Sequence, residues 1–386
     1  MQRLTHIVPF VLAVLSGPFA ARPAHASAEL RTVLAEFSGD LKKLLDGQGE
    51  NSVAIGQFTG PANFPTSGGP GIAQIFAEEL AKKGVQLKTR AKFGVKGVYR
   101  LTEIPAEDPD DKRLGRKVLA IEIEATVVDQ FDKPLSDIAF KRQIRGEATV
   151  FQLTGIPAAL PTNGNQTTER ERDLELRKNL TDPKAAINGA VVRSKEGSPY
   201  AIEILVGGNP RAAENKDGLA FVSIRRGEEY AVRLINESPH ETAVQLRIDG
   251  LSMFAFSETR HKDDTQKGEP LYTAIILPPK KDGKPGEAVI RGWHVNNKAT
   301  DKFVVTEYAK SAAASLNHTA NLGTITATFQ AAWEEGQKPP ADEPGKSRGH
   351  GAGDATGRGD RIGEEYKEVV RQFGVIRDSA SVRYTK

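Results

Sequence analysis

The sequence predicts an α+β protein: a small N-terminal α/β domain with an antiparallel sheet, followed by an all-β sandwich. Three observations predict it. Apolar residues recur at helical three- and four-residue steps in residues 29–47 and 71–83, both near the N-terminus. Short β-branched segments separated by turn residues fill most of the rest. The clearest pattern lies in residues 218–254, where Tyr230, Val232 and Leu234 alternate with Ala231, Arg233 and Ile235. Beyond a polar turn, Thr242, Val244, Leu246 and Ile248 alternate with Ala243, Gln245, Arg247 and Asp249. Strict alternation places one set on a core and the other in water. With Asn236-Glu237-Ser238-Pro239-His240-Glu241 as the reversal and Asp249-Gly250 as the stop, this stretch reads as a β-hairpin at the heart of the sandwich.

Residues 1–28 read as a secretory signal peptide. Arg3 supplies the positive start, residues 7–20 the apolar run, and Ala24-His25-Ala26 or Ala26-Ser27-Ala28 the cleavage site. The expected location is therefore periplasmic or extracellular. The chain has no cysteine, so disulfides, thiolate chemistry and attachment of lipid to a cysteine are excluded. No later run of 18 apolar residues predicts a transmembrane span. With 53 Lys+Arg against 50 Asp+Glu, interspersed along 386 residues, no basic face for nucleic acid is indicated.

The α+β domain is expected over residues 29–155. In the first helix Leu30, Val33, Leu34, Phe37, Leu41, Leu44 and Leu45 share one face. A strand over 52–58 follows, then a Gly- and Pro-bearing loop. The second helix turns Ile72, Ile75, Phe76 and Leu80 inward and stops at Gly84. Strands over 85–89, 95–104, 117–130 and 138–151 complete it, with a reversal at Phe131-Asp132-Lys133-Pro134. The runs SVAIGQFTG, GIAQIFAEELAKKGVQL and GVKGVYRLTE, with Val127-Val128-Asp129 before that reversal, resemble a periplasmic α/β module. It is the module of curli-secretion-pore lipoproteins and of the lipoprotein activators of penicillin-binding proteins. The resemblance implies an envelope setting and no catalytic residues. The acylated cysteine of those lipoproteins is missing, so tethering and pore formation are not implied.

Residues 156–198, with the charged run ERERDLELRK, read as a linker with one short helix. The sandwich is expected over 199–335, from strands near 200–206, 271–277, 288–295, 302–306 and 323–330 besides the hairpin. The segments IRGW, FVVT, EYA and LGTI within it resemble a β-sandwich module of uncharacterised secreted bacterial proteins, which implies no activity. Residues 336–362 read as a Gly/Pro-rich flexible loop. Residues 363–386 turn apolar again and are expected to dock on the sandwich as strands, covering one of its edges.

No chemical constellation emerges, so no catalytic, cofactor-binding or metal-ligating residue is assigned. Gly345-Lys346-Ser347 lacks the upstream glycine and strand of a phosphate loop. His240, His261, His294 and His318 stand apart, and His261-Lys262-Asp263-Asp264 reads as a hydrated loop. Trp293 reads as a core anchor. The expectation is a non-enzymatic, exported binding or scaffold protein of the bacterial cell envelope, with an envelope protein or glycan as partner. The alternative is a hydrolase or carbohydrate-active enzyme. Its site would lie between the domains, using two of Glu122, Asp129, Asp249 and Glu258 about 5–10 Å apart.

Overall fold

A computed structural model describes residues 10–14, 28–61, 64–107, 109–162, 167–262, 268–305, 322–343, 358–363 and 366–385. The chain is α+β, with one small helix-bearing sheet and two large sheets packed as a sandwich. Phe10–Val14, inside the predicted leader, is described as a strand beside Ile275–Leu277 and Tyr366–Val370.

Two amphipathic helices build the N-terminal part. In α1 (Ala28–Gly47) Leu30, Leu34, Phe37, Leu41 and Leu45 fall on one stripe and are wholly buried. In α2 (Gly69–Lys82) the same holds for Ile72, Ile75, Phe76 and Leu80, and Gly84 ends the helix with a left-handed backbone. Both pack on a five-stranded sheet whose long members, Phe93–Pro105, Lys117–Asp129 and Pro134–Arg145, form the expected antiparallel meander. Ser52–Thr59 joins its neighbours in parallel, because the chain returns through α2 rather than through a tight turn.

In the sandwich, Thr242–Ile248 does not pair with Glu229–Asn236. Glu229–Asn236 lies between Tyr200–Val206 and Ala299–Val304 in one sheet. Thr242–Ile248 lies between Ile275–Leu277 and Leu322–Trp333 in the other. The predicted hairpin is therefore an arch that carries the chain from one sheet to the other. Val232 and Leu234 meet Val244, Leu246 and Ile248 across the core instead of along a ladder. The Asn236 amide holds the arch by donating to the carbonyls of His240 at 2.9 Å and Pro278 at 2.8 Å. Its Oδ1 accepts from the Ser238 N–H at 2.9 Å. Trp293 is buried in this core, edge-on to Phe256 and Phe303 at 5.3 and 5.0 Å, as its scarcity in the sequence led us to expect.

Residues 156–198 are not a solvated connector. Ile156, Ala158 and Leu160 are buried in the N-terminal core, and Ala158–Ala159 pairs with the C-terminal strand. The charged run forms helix α5 (Glu169–Thr181; α3 is Pro109–Arg113 and α4 Glu147–Thr154), started by a reciprocal cap between Thr168 and Glu171. Its Arg172 reaches inward to the Glu147 carboxylate at 2.6 Å and the Ile376 carbonyl at 2.6 Å. Ala186–Asn188 and Val191–Arg193 then add two strands to the sandwich, with Val192 wholly buried. A charge-rich sequence concealed this because Arg172, Leu176 and Asn179 are the buried residues of the helix, while Leu174 is exposed.

The 336–362 segment is also partly built in. Asp342 and Glu343 pair with Arg377 at 2.6 and 2.8 Å, and Arg358–Gly363 pairs with Ala299–Val304. Its middle, 344–357, lies outside the described residues. The C-terminus forms strands, but Gln372–Thr385 is interior. It runs antiparallel to Leu322–Trp333 on one side and parallel to Leu219–Ser223 on the other. It cannot be an edge cover, because its own apolar residues Ala380, Val382 and Tyr384 are part of the sandwich core. Deleting residues 372–386 is expected to abolish cooperative unfolding of the sandwich altogether. Near-ultraviolet circular dichroism of the truncated chain checks this, and a retained sharp thermal transition contradicts it.

Candidate functional site

The sheet face built from Thr242–Ile248, Leu322–Trp333 and Gln372–Thr385 has two sides. Ile248, Ile325 and Val382 are register partners and face the sandwich core. Alternation then turns Arg247, Thr326 and Ser381, also register partners, to the opposite side, with Thr324, Thr328, Ser379 and Arg383. Sequence reasoning puts that side in water. Instead every one of these residues is buried, because the N-terminal domain covers them.

The cover is held by polar contacts. Asp249 and Gly250 both have positive φ, 54° and 82°, and form the tight turn after Thr242–Ile248. The Asp249 Oδ1 accepts from the Ser67 hydroxyl at 2.5 Å and the Thr324 N–H at 2.9 Å. Its Oδ2 accepts from the Tyr384 hydroxyl at 3.2 Å. Gln152 of α4 donates to the Gly250 carbonyl at 3.0 Å. Arg383 donates to the carbonyls of Thr154 at 3.0 Å and Pro65 at 3.3 Å and to the Ser381 hydroxyl at 2.6 Å. Burial lowers the Arg383 guanidinium to about 9. The start of α2 approaches so closely that a Cβ on Gly71 would lie 2.7 Å from the Gly250 carbonyl oxygen. That approach explains the glycine run before this helix.

A second clasp is ionic. Arg31 of α1 bridges Glu79 at 2.7 Å and Glu78 at 2.9 Å on α2, and lies 3.7 Å from Glu269 of the sandwich. Burial alone would lower the Arg31 guanidinium. Glu78, Glu269 and Glu79 outweigh it and raise it.

Other arginines show how buried charge is normally handled in this chain. Among the described residues five are buried: Arg31, Arg172, Arg247, Arg377 and Arg383. Arg31, Arg172 and Arg377 hold carboxylates, and Arg383 holds carbonyl oxygens. Arg247 is 2% exposed and bonds to no described residue, and its Nε is sealed without an acceptor. Burial, with no carboxylate to offset it, lowers this guanidinium to about 10.

Of the four carboxylates considered for a hydrolytic site, Glu122 and Asp129 are held far apart, and all four are engaged by other groups. Glu122 and Asp129 lie seven residues apart on one strand, about 23 Å at the usual rise. Glu122 is paired with Arg100 and Lys141, and the Asp129 side chain accepts from the backbone of Phe131 and Lys133 in its own turn. Asp249 is occupied as above, and Glu258 accepts from Asn296. Near His261, residues 263–267 lie outside the described residues, and no metal-holding cluster is found among those described. His294 is boxed by Phe254, Tyr272 and Tyr366 at 5.0–5.4 Å, and burial pushes its imidazole down to about 4.

One open cleft of about 320 Å³ lies at the arch, lined by His240, Glu241, Trp333, Glu334, Gln337 and Lys338, among others. Arg371 holds Glu241 at 2.6 Å and Glu334 at 3.4 Å, which fixes both carboxylates along its rim. The Trp333 indole N–H donates to Gln372 at 2.8 Å. No local pattern marks this cleft, since its lining comes from the arch and from a strand end about 90 residues later. Compared with protein-family models, curated proteins and solved structures, the chain matches none.

Two predictions follow from the clasps. Arg31→Met leaves the buried Glu79 and Glu269 with Lys82, at 2.8 and 3.7 Å, as their remaining cation among the described residues and is expected to cost about 2 kcal/mol in denaturant unfolding. A loss below about 1 kcal/mol would show that the ionic clasp is not needed. Asp378, wholly buried, is raised to about 7 by burial, against the Ser194 and Ser198 hydroxyls that it accepts from at 2.7 Å. The folded state therefore binds its proton more tightly than the unfolded one. That stability is complete below about pH 4 and is lost as pH rises through about 7, by at most about 4 kcal/mol. Asp378→Asn should flatten this slope between pH 4 and 8. An unchanged slope assigns the pH dependence elsewhere.

Proposed function

We propose that the chain is an exported, non-enzymatic binding or scaffold protein of the bacterial cell envelope, whose partner is an envelope protein or glycan. The leader pattern of residues 1–28 supports export, and the resemblance of the N-terminal domain to envelope lipoprotein modules supports the compartment. The observation that carries the binding role is the open cleft at the arch. Glu241, Glu334, Gln337 and Lys338 around the mostly buried Trp333 offer donors and acceptors at an open cleft, a composition suited to a polar ligand. No helix among the described residues is long and apolar enough to cross a membrane.

The test is capture from envelope extract by the full chain and by a Gln337→Ala/Lys338→Glu variant, both residues being exposed. A protein or glycan retained by the native chain and lost from the variant is the expected outcome. Equal retention by both removes the cleft from the binding role. The mature chain should begin at Ser27 or Glu29 on N-terminal sequencing, and a soluble form beginning at Met1 contradicts export.

A further inference from the structure

We propose that the buried layer around Arg247 is a binding site for a small oxyanion, a carboxylate, phosphate or sulfate group. Arg247 departs from the rule that the other four buried arginines obey, since no described residue supplies it with an acceptor. A guanidinium keeps its charge in a protein and presents its N–H groups as a planar fork. Burying such a charge is costly unless an anion or acceptor meets it. The neighbouring acid, Asp249, bonds Ser67, Thr324 and Tyr384, and no bond from it to Arg247 is formed.

The surroundings carry the donors that an oxyanion needs. Thr326 lies directly across from Arg247 on the next strand, with Thr324 and Thr328 before and after it on the same face. Ser379 is the register partner of Thr328. The hydroxyls of Thr324, Thr328 and Ser379 are sealed from solvent and have no partner. Thr328 and Ser379 lie side by side and Thr328 is diagonal to Arg247, so one ligand can reach these three, whereas Thr324 lies about 13 Å along the strand from Thr328 and outside that reach. Diagonal neighbours across paired strands are about 7–8 Å apart, a gap one tetrahedral or planar oxyanion spans. The layer is enclosed by α4 and the turn at Gly155, where a Cβ would lie 2.5 Å from Thr324 and 2.8 Å from Thr326, which leaves the Thr328 side of Arg247 for the ligand. This site is separate from the cleft at His240 and Trp333 and does not depend on its role.

Thermal melting of the full chain, titrated with acetate, phosphate or sulfate against chloride at matched ionic strength, tests the proposal. A saturable rise in melting temperature with at least one oxyanion is expected, and the three arms identify the preferred geometry. General salting effects grow linearly and do not saturate. Arg247→Met should remove the saturable part while melting at or above the native chain in chloride, since it deletes an uncompensated charge. Arg247→Lys, which keeps the charge and loses the fork, should bind at least tenfold more weakly. If the native chain shows only a linear response in all three anions, or Arg247→Met keeps the saturable response, the site does not exist. Should Arg247→Met fail to fold, saturation in the native chain combined with weakening in Arg247→Lys still decides the matter.

Discussion

Thr242–Ile248 is covered on both faces, and the rest of the structure depends on that cover. One face supplies Val244, Leu246 and Ile248 to the sandwich core. The other supplies Gln245 and Arg247 to the layer beneath the N-terminal domain. A strand buried on both sides ordinarily reads as a continuous apolar run. This one keeps a polar face, so its second cover has to be polar as well. That requirement places Ser67, Gln152 and Asp249 where they are, and it forces the glycines at the start of α2.

The two covers differ in what they contribute. Apolar burial in the sandwich stabilises roughly in proportion to area, without regard to direction. A hydrogen bond across the polar layer adds only about 1 kcal/mol net, yet leaving one partner unpaired costs more than that. The layer therefore fixes orientation more than it supplies affinity. Affinity comes from its margins, where Ile156, Ala158 and Leu160 carry the N-terminal core up to Leu219 and Ile376 of the sandwich. Ion pairs of Arg31 with Glu79 and of Arg172 with Glu147 then hold helix against helix, α1 on α2 and α5 on α4.

Much of the secondary structure was legible in the sequence. The stripes of α1 and α2, the stop at Gly84, the meander turn after Asp129 and the Asp249-Gly250 turn all lie where periodicity and turn chemistry put them. Pairing was not legible. Tyr230–Ile235 and Thr242–Asp249 alternate as a hairpin does, and alternation is the same whether two strands share a ladder or face each other across a core. The polar layer was hidden for a related reason: Arg247 and Gln245 fit an exposed face, and only the docked α4 distinguishes cover from solvent. Residues 169–178 misled in the opposite sense, since a mean over charged side chains conceals Arg172 and Leu176, the two that point inward. The cleft at Trp333 draws on residues far apart in the chain, and no local pattern joins them.

The place of Gln372–Thr385 in the sheet has a consequence for timing. These residues leave the ribosome after every strand they pair with, yet they lie between Leu219–Ser223 and Leu322–Trp333, and Arg383 reaches the carbonyls of Pro65 and Thr154. Until they arrive, one large sheet lacks an interior strand and the polar layer lacks Arg383, one of its two buried cations. Contacts that span more than 200 residues close slowly, because the loop entropy must be met before they give any return. The nascent chain therefore cannot close its largest sheet until residues 372–385 have emerged, and Leu219–Ser223 and Leu322–Trp333 wait with one side unpaired until then.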